Sequence, residues 1–113
     1  MAEYFKIPIL IDDAHGFGVI GDGGRGTASH FGLDAEIPIT FCTFSKTLAS
    51  IGGFVVGDKQ NINYLKHQSP ALIFSASPSP ASTASALAAL EVLIAEPELV
   101  TKLKHNADFC VRI

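Results

Sequence analysis

The chain has 113 residues, of which 48% are hydrophobic and 17% are charged, and its formal net charge is −3. This length permits one domain with a modest core, and the apolar content excludes an intrinsically disordered protein. The acidic balance provides no broad basic surface, so we expect no nucleic-acid partner.

Three short apolar runs predict the strands of an α/β fold. The first run, Ile7 to Ile11, suits a strand that is covered on both faces, and two acids end it. The glycine-rich segment 12–32 that follows is predicted to be an irregular loop. The second and third runs, Ile39 to Phe44 and Gly53 to Gly57, flank a tight loop at 45–52.

The second half of the chain predicts helices with one intervening strand. Asn61 to Gln68 is expected to form a short helix, and Ala71 to Ser75 a further strand. Ser79 can cap a helix that has Pro80 at its first position, and Glu96-Pro97 restarts the helical pattern. Apolar residues recur at helical spacing in both helices and are predicted to be core: Leu87, Leu90, Ile94, Leu99, Leu103, Ala107 and Cys110.

Polar groups follow three of the predicted strands directly. They lie in the segments Asp12 to His15, Thr43 to Lys46 and Phe74 to Ser77. Because open α/β sheets bind ligands at the carboxyl ends of their parallel strands, we expect these segments to converge on one crevice.

Lys46 is the candidate nucleophile of this crevice. It stands between a strand and the Gly52-Gly53 pair, where partial desolvation would favour an imine with an aldehyde. The alternative is an ordinary loop lysine whose ammonium group remains in water.

Four further side chains could hold a ligand beside this lysine. Asp12 could pair with a protonated pyridine nitrogen, although Asp12 or Asp13 could instead cap a turn. His15 could donate a hydrogen bond to a ring oxygen or transfer a proton, or it could simply be solvated. Thr43 and Ser45 offer hydroxyls for phosphate or ring oxygens, with backbone capping as the alternative.

Three motifs together resemble a known enzyme family. They are Ile11 to Gly21 (IDDAHGFGVIG), Gly24 to Gly26 (GRG) and Thr43 to Gly53 (TFSKTLASIGG). This combination is similar to that of the α-oxoamine synthases, which are fold-type-I enzymes dependent on pyridoxal 5'-phosphate (PLP). The resemblance implies part of their large PLP-binding domain, with a mostly parallel sheet flanked by helices.

The resemblance also implies a role for each site residue. Lys46 would bind the cofactor covalently, Asp12 would contact the pyridinium nitrogen, and His15 would contact the ring hydroxyl. Thr43 and Ser45 would lie near phosphate or ring oxygens. Ser75 and Ser77 partly match a hydroxyl-rich segment that reaches the cofactor phosphate of a neighbouring subunit, which implies a homodimer.

Within the family, three runs resemble bacterial serine palmitoyltransferases: Gly26 to Leu33, Leu48 to Ser50 and Phe74 to Ser77. The implied reaction is decarboxylating condensation of a small amino acid with an acyl-CoA, in sphingolipid biosynthesis. The alternatives are 8-amino-7-oxononanoate synthase and glycine C-acetyltransferase.

Members of this family are much longer, so residues 1–113 are expected to be a central fragment of the large domain. Its C-terminal end would run into the helix that leads to the small domain. An alternative of another class is therefore an inactive fragment without turnover.

Other features set limits on location and ligands. Cys42 and Cys110 have no CxxC spacing, which favours reduced thiols and a cytoplasmic location. The uncharged stretch 68–90 is interrupted by prolines and is not expected to span a membrane. The histidines are scattered along the chain, so no metal is predicted.

Overall fold

A computed structural model describes residues 2–111 of the chain. Its regular elements are α1 (Ala2–Phe5), β1 (Leu10–Asp12), a short 3-10 helix (Asp22–Gly24), α2 (Thr27–His30), β2 (Ile39–Thr43), β3 (Gly53–Gly57), α3 (Lys59–Gln68), α4 (Pro70–Ile73), α5 (Pro80–Ala95) and α6 (Glu98–Val111).

The three strands form one sheet in the order β1-β2-β3. β1 pairs with β2 in parallel, starting from Leu10 opposite Ile39, and β2 pairs with β3 antiparallel. β1 begins later than predicted because Pro38, which precedes Ile39, has no N–H to extend the ladder. The α/β fold class is confirmed, with one parallel and one antiparallel ladder in the described residues.

The register separates the sheet into two faces. Asp12 is opposite Phe41, and Thr43 is two residues beyond Phe41, so these three side chains share one face. Asp13 and Cys42 lie on the opposite face and are only 3% and 2% exposed. The sheet therefore places Asp12 and Thr43 on its more open face and buries the neighbouring residue of each strand.

Side-chain caps fix the starts of the longer helices. Ser79 accepts a hydrogen bond from the N–H of Ser82 (3.1 Å), and Pro80 occupies the first turn of α5, as the sequence predicts. Asp58 accepts from the N–H of Asn61 (2.8 Å), so α3 begins two residues before the predicted start. The restart after Pro97 is confirmed by α6.

The predicted strand at 71–75 is wrong. This segment contains the helix α4, for which Ser69 is the N-cap and Pro70 the first residue. A Ser-Pro pair starts a helix because the serine side chain accepts an N–H of the first turn and proline has no N–H to leave unpaired there. The segment Phe74 to Ser77 thus follows a helix and is exposed.

Little apolar surface is buried in this structure. The buried hydrophobic residues among those described are Cys42, Leu48 and Ala86. The accessible surface is 8585 Å², whereas a compact monomer of 11.9 kDa would expose about 5,900 Å². The helical stripes predicted to be core are largely exposed, as the exposed fractions of their larger members show: Leu87 56%, Ile94 72%, Leu99 43% and Leu103 44%.

Within residues 2–111, the helices lack the length and apolar content that a bilayer-spanning segment requires.

Candidate active site

Two of the three predicted polar segments meet at one edge of the sheet. Because β1 and β2 are parallel, Asp12 and Thr43 end their strands at the same edge. β3 starts at this edge, with Gly53 opposite Thr43, so the connecting loop that carries Lys46 also lies there. The register thus brings the predicted lysine and the predicted carboxylate to a common edge.

The loop from Ser45 to Ile51, here called the Lys46 loop, is closed by backbone hydrogen bonds. Phe44 donates its N–H to the carbonyl of Gly52 (2.9 Å) and accepts at its own carbonyl from the N–H of Ser50 (2.9 Å). Ala49 donates to the carbonyl of Lys46 (3.0 Å), and Ala49 has a positive φ of 47° that is unusual for a residue with a Cβ. The loop is therefore tightly defined.

Three side chains anchor the Lys46 loop to the rest of the structure. The Thr47 hydroxyl donates to the carbonyl of Phe17 (2.9 Å), and the Ser50 hydroxyl donates to the carbonyl of Ser82 in α5 (2.7 Å). Leu48 is 2% exposed and fills the space beneath the loop. With these neighbours fixed, Lys46 is held on the outer side of the loop.

Lys46 itself is exposed, so the partial desolvation expected from the sequence is not seen in this structure. Its amine is not engaged in a salt bridge, since the ion pair of the described residues joins Arg25 to Asp34 at 3.5 Å. The amine is thus accessible to a ligand at the sheet edge.

The two carboxylate oxygens of Asp12 have different surroundings: one caps a turn, and the other faces the open side of the sheet. Oδ1 accepts the N–H of Ala14 (3.1 Å), so the turn-capping alternative is observed. Within residues 2–111, Oδ2 accepts no hydrogen bond, and the residue is exposed. One oxygen therefore remains free for a ligand donor.

His15 lies in the turn directly after Asp12. The turn is closed by the N–H of Phe17, which donates to the carbonyl of Asp13 (3.0 Å). His15 is exposed, as the alternative of a solvated histidine requires, and this exposure also makes it accessible to a ligand near Asp12.

Thr43 and Ser45 form a hydroxyl pair at the end of β2. Their oxygens are 2.8 Å apart, and Thr43 Oγ1 also donates to the carbonyl of Gly52 (3.2 Å). The N–H of Ser45 donates back to Thr43 Oγ1 (3.2 Å). The capping alternative is observed here, and the exposed pair still places two hydroxyls next to Lys46.

The structure does not link Ser75 and Ser77 to this edge. Both are exposed, and the Ser75 hydroxyl donates to the carbonyl of Ala71 in α4. Among the described residues, neither serine makes a hydrogen bond to the Lys46 loop.

Asp13 has a structural role that the sequence did not specify. Its carboxylate accepts both the N–H (2.8 Å) and the hydroxyl of Thr27. A Cβ on Gly16 or Gly26 would lie 2.1 Å or 1.9 Å from one of its oxygens. Asp13 therefore pins the glycine-rich loop from Asp13 to Gly26, which we call the glycine loop.

The pKa of the Cys42 thiol reflects its burial and the carboxylates of Asp13 and Asp12 near it. Burial, followed by the negative charges of Asp13 and Asp12, raises the pKa of its thiol from 9.0 to about 11. The thiol thus remains protonated at neutral pH, and both carboxylates lie near it.

A model of a protein family matches the sequence over its entire length. The model for aminotransferase class I and II covers residues 1–113. The chain belongs to the aminotransferase class I and II family.

Sequence relatives within this family include a serine palmitoyltransferase and an 8-amino-7-oxononanoate synthase. The chain is 50% identical over 109 residues to a serine palmitoyltransferase of Sphingobacterium spiritivorum, covering 96% of this chain and 27% of that protein. It is 45% identical over 109 residues to an 8-amino-7-oxononanoate synthase of Petrotoga mobilis, covering 96% of this chain and 28% of that protein. The resemblance to α-oxoamine synthases predicted from the motifs is confirmed.

Solved structures give the same result for the fold. A serine palmitoyltransferase variant from S. paucimobilis with a bound PLP–myriocin aldimine superposes with a TM-score of 0.86 at 31% identity, covering 94% of this chain and 28% of that one. A serine palmitoyltransferase of Sphingomonas wittichii gives a TM-score of 0.76 at 32% identity, covering 81% and 23%. The chain spans about a quarter of the length of the relatives it matches.

Proposed function

We propose that the chain is the cofactor-lysine segment of a longer PLP-dependent acyltransferase that condenses serine with palmitoyl-CoA. One observation carries the proposal: in a member of this family, the loop that bears the exposed Lys46 and the strand that ends in Asp12 meet at one sheet edge. The named serine palmitoyltransferase relatives support the choice of substrates.

The side chains at this edge fit the functional groups of PLP. Lys46 offers an amine for the aldehyde, and Asp12 offers a carboxylate oxygen for the protonated ring nitrogen. Thr43 and Ser45 offer a pair of hydroxyls for phosphate or ring oxygens, and His15 offers an imidazole for the ring hydroxyl. Each polar group of the cofactor thus has a complementary side chain.

When bound, PLP supplies an aldehyde for amino groups and an aromatic ring that accepts electrons from a broken Cα bond. Lys46 would hold the aldehyde carbon covalently. Asp12 would keep a proton on the ring nitrogen, because a carboxylate favours the cationic form of a neighbouring base. His15 would orient the ring through its hydroxyl, and the Thr43–Ser45 pair would fix the cofactor's position.

The overall reaction would consume serine and palmitoyl-CoA and release 3-ketosphinganine, CoA and carbon dioxide. This assignment implies a role in sphingolipid biosynthesis in the cytoplasm.

The exposed apolar surface supports a location inside a larger domain. A chain with so few buried hydrophobic residues and an accessible surface of 8585 Å² has faces that other elements could cover. We therefore propose that residues 1–113 are a central fragment of the PLP-binding large domain, with α6 in the helix that leads to the small domain. The isolated chain is expected to show no turnover.

Ser75 and Ser77 would belong to a second active site in a homodimer. Both are exposed, and among the described residues neither makes a hydrogen bond to the Lys46 loop. They would contact the cofactor phosphate of the neighbouring subunit rather than that of their own.

A chimera can test the role of Lys46 in a complete enzyme. In this chimera, our chain replaces the matching segment of the Sphingobacterium spiritivorum serine palmitoyltransferase. After incubation with PLP and borohydride reduction, peptide mass mapping should find the phosphopyridoxyl group on Lys46. Lys46→Ala should remove this label and the formation of 3-ketosphinganine.

Lys66→Ala is the matched control, because Lys66 is an exposed lysine on α3 and is not part of the Lys46 loop. It should leave both the label and the product unchanged. Equal labelling of several lysines, or a Lys46→Ala chimera that still forms product, would contradict the proposed function.

The second candidate function is that of an 8-amino-7-oxononanoate synthase, which the Petrotoga mobilis relative supports. A reciprocal chimera in that host separates the candidates, since each host forms its own product. We expect the serine palmitoyltransferase chimera to retain the larger fraction of its host's turnover. Better retention in the Petrotoga mobilis host would favour the second candidate.

A further inference from the structure

The proposed site is assembled from two separate loops. Asp12 is the last residue of β1 and His15 lies near the start of the glycine loop that follows it, whereas Lys46 lies in the loop between β2 and β3. Backbone pairing of β1 with β2 fixes the strand ends but not the relative position of the two loops beyond them. Some contact between the loops must set that position.

Thr47 makes this contact. Its hydroxyl donates to the carbonyl of Phe17 across 30 residues of sequence at 2.9 Å, in a partly buried position. Among residues 2–111, this is the one hydrogen bond between the Lys46 loop and the glycine loop.

The Thr47 side chain is also seated sterically. A Cβ on Gly18 would lie 2.1 Å from the Thr47 methyl carbon and 2.7 Å from its hydroxyl oxygen, so Thr47 occupies the space that Gly18 leaves open. Gly18 is buried and has a φ of +76°, and its N–H donates to the carbonyl of Gly24 (2.7 Å). Both branches of the threonine therefore meet a fixed surface.

The acceptor of this hydrogen bond is itself held in place. The N–H of Phe17 donates to the carbonyl of Asp13, and the Phe17 ring packs edge-on against Phe54 of β3 at 5.5 Å between centroids. The Phe17 carbonyl is thus fixed relative to both β1 and β3.

We propose that Thr47 is a positioning residue of the proposed active site: its hydrogen bond to the Phe17 carbonyl sets the place of Lys46 relative to Asp12 and His15. The proposal rests on the proposed function of Lys46. Thr47 directly follows Lys46, so a shift of Thr47 moves the lysine backbone. A misplacement of about 1 Å at a reacting group can lower the rate about 100-fold.

The test compares three substitutions in the serine palmitoyltransferase chimera. Thr47→Val keeps the branched shape and removes the hydroxyl, whereas Thr47→Ser keeps the hydroxyl and removes the methyl group. Thr101→Val is the matched control, because Thr101 is exposed on α6 and makes no hydrogen bond through its side chain among the described residues.

The readout is the PLP concentration needed to label half of Lys46 after borohydride reduction. Thr47→Val should raise this concentration about fivefold, as expected for the loss of one hydrogen bond of about 1 kcal/mol. Thr47→Ser should restore it, and Thr101→Val should leave it unchanged. In an Asp12→Asn background, the effect of Thr47→Val should shrink, because the distance between Lys46 and Asp12 then matters less.

The possible results separate the two proposals. If Lys46→Ala leaves the label in place, the proposed function fails. If labelling depends on Lys46 but Thr47→Val behaves like Thr101→Val, the positioning role is wrong and the proposed function stands. If the folded Thr47→Ser variant is as impaired as Thr47→Val, the hydroxyl is not what positions the loop.

Discussion

The contact between Gly26 and Asp13 yields a quantitative prediction for Gly26→Ala. Gly26 has φ 100° and ψ −168°, a conformation that is essentially restricted to glycine. An added Cβ would lie 1.9 Å from Asp13 Oδ2. The substitution therefore combines backbone strain with displacement of a buried carboxylate.

Typical free-energy costs are known for both the backbone strain and the displaced carboxylate. The strained backbone costs about 1–3 kcal/mol. Moving the Asp13 carboxylate removes the acceptor of the Thr27 N–H and hydroxyl, which costs about 1–3 kcal/mol more. Gly26→Ala should therefore lower the free energy of unfolding by about 2–6 kcal/mol, a large part of the 5–15 kcal/mol typical of a domain.

Gly23→Ala is the matched control. Gly23 also has a positive φ of 56°, but an added Cβ would meet no atom within 4 Å. The left-handed conformation should then be the one source of destabilisation, and Gly23→Ala should lower the free energy of unfolding by about 1–2 kcal/mol.

Urea unfolding of the serine palmitoyltransferase chimera, followed by circular dichroism, measures the difference. With a slope of about 3 kcal/mol per molar urea for the larger chimera, the midpoint of Gly26→Ala should lie about 0.8 M below that of Gly23→Ala. In an Asp13→Ala background, Gly26→Ala should cost at least about 1 kcal/mol less than in the wild type, because the clash is removed. Equal costs in the two backgrounds would refute the carboxylate contact as the cause.

Three further predictions concern the two cysteines and a helix cap. At pH 8, iodoacetamide should alkylate the exposed Cys110 but not the buried Cys42, which peptide mass mapping would show; alkylation of both at equal rates would contradict the burial of Cys42. Because burial and the nearby carboxylates of Asp13 and Asp12 raise the pKa of Cys42 from 9.0 to about 11 in the folded chain, the free energy of unfolding should fall as pH rises through this interval, and it should fall less in Cys42→Ala. Ser79→Ala should destabilise α5 by about 1 kcal/mol in the same urea assay, whereas Ser85→Ala within the helix should not.

The two Ser-Pro pairs show how much of the secondary structure local sequence patterns can predict. Ser79-Pro80 correctly predicted the start of α5, and Ser69-Pro70 starts α4 by the same cap geometry. The apolar run that follows Pro70 nevertheless favoured a strand, because four consecutive apolar residues fit either element. Cap chemistry at Ser69 was the better guide, since it identifies a helix start by its hydrogen bond rather than by hydrophobicity.

The shared sheet edge of Asp12 and Thr43 was predictable from the sequence, because it depends on strand ends. Asp12 and Thr43 stand at the carboxyl ends of two runs recognisable from sequence, and parallel pairing brings them to one edge. The Asp13–Thr27 and Thr47–Phe17 contacts were not predictable, because their partners lie 14 and 30 residues apart and no local period relates them. The glycines at 16, 18 and 26 were the available signal, since each leaves space that one of these side chains fills.

This segment fixes the positions of the proposed site residues, but it does not shield them from water. Hydrogen bonds within this segment fix the backbone around Lys46 and pin the glycine loop through Asp13. In contrast, Lys46, Asp12 and His15 are all exposed, although electrostatic contacts to a cofactor strengthen when water is excluded. If the proposed function is right, the segment holds the reacting groups in place, and elements that cover its exposed faces must supply the low-dielectric surroundings. The isolated chain should therefore position these groups without making them fully reactive.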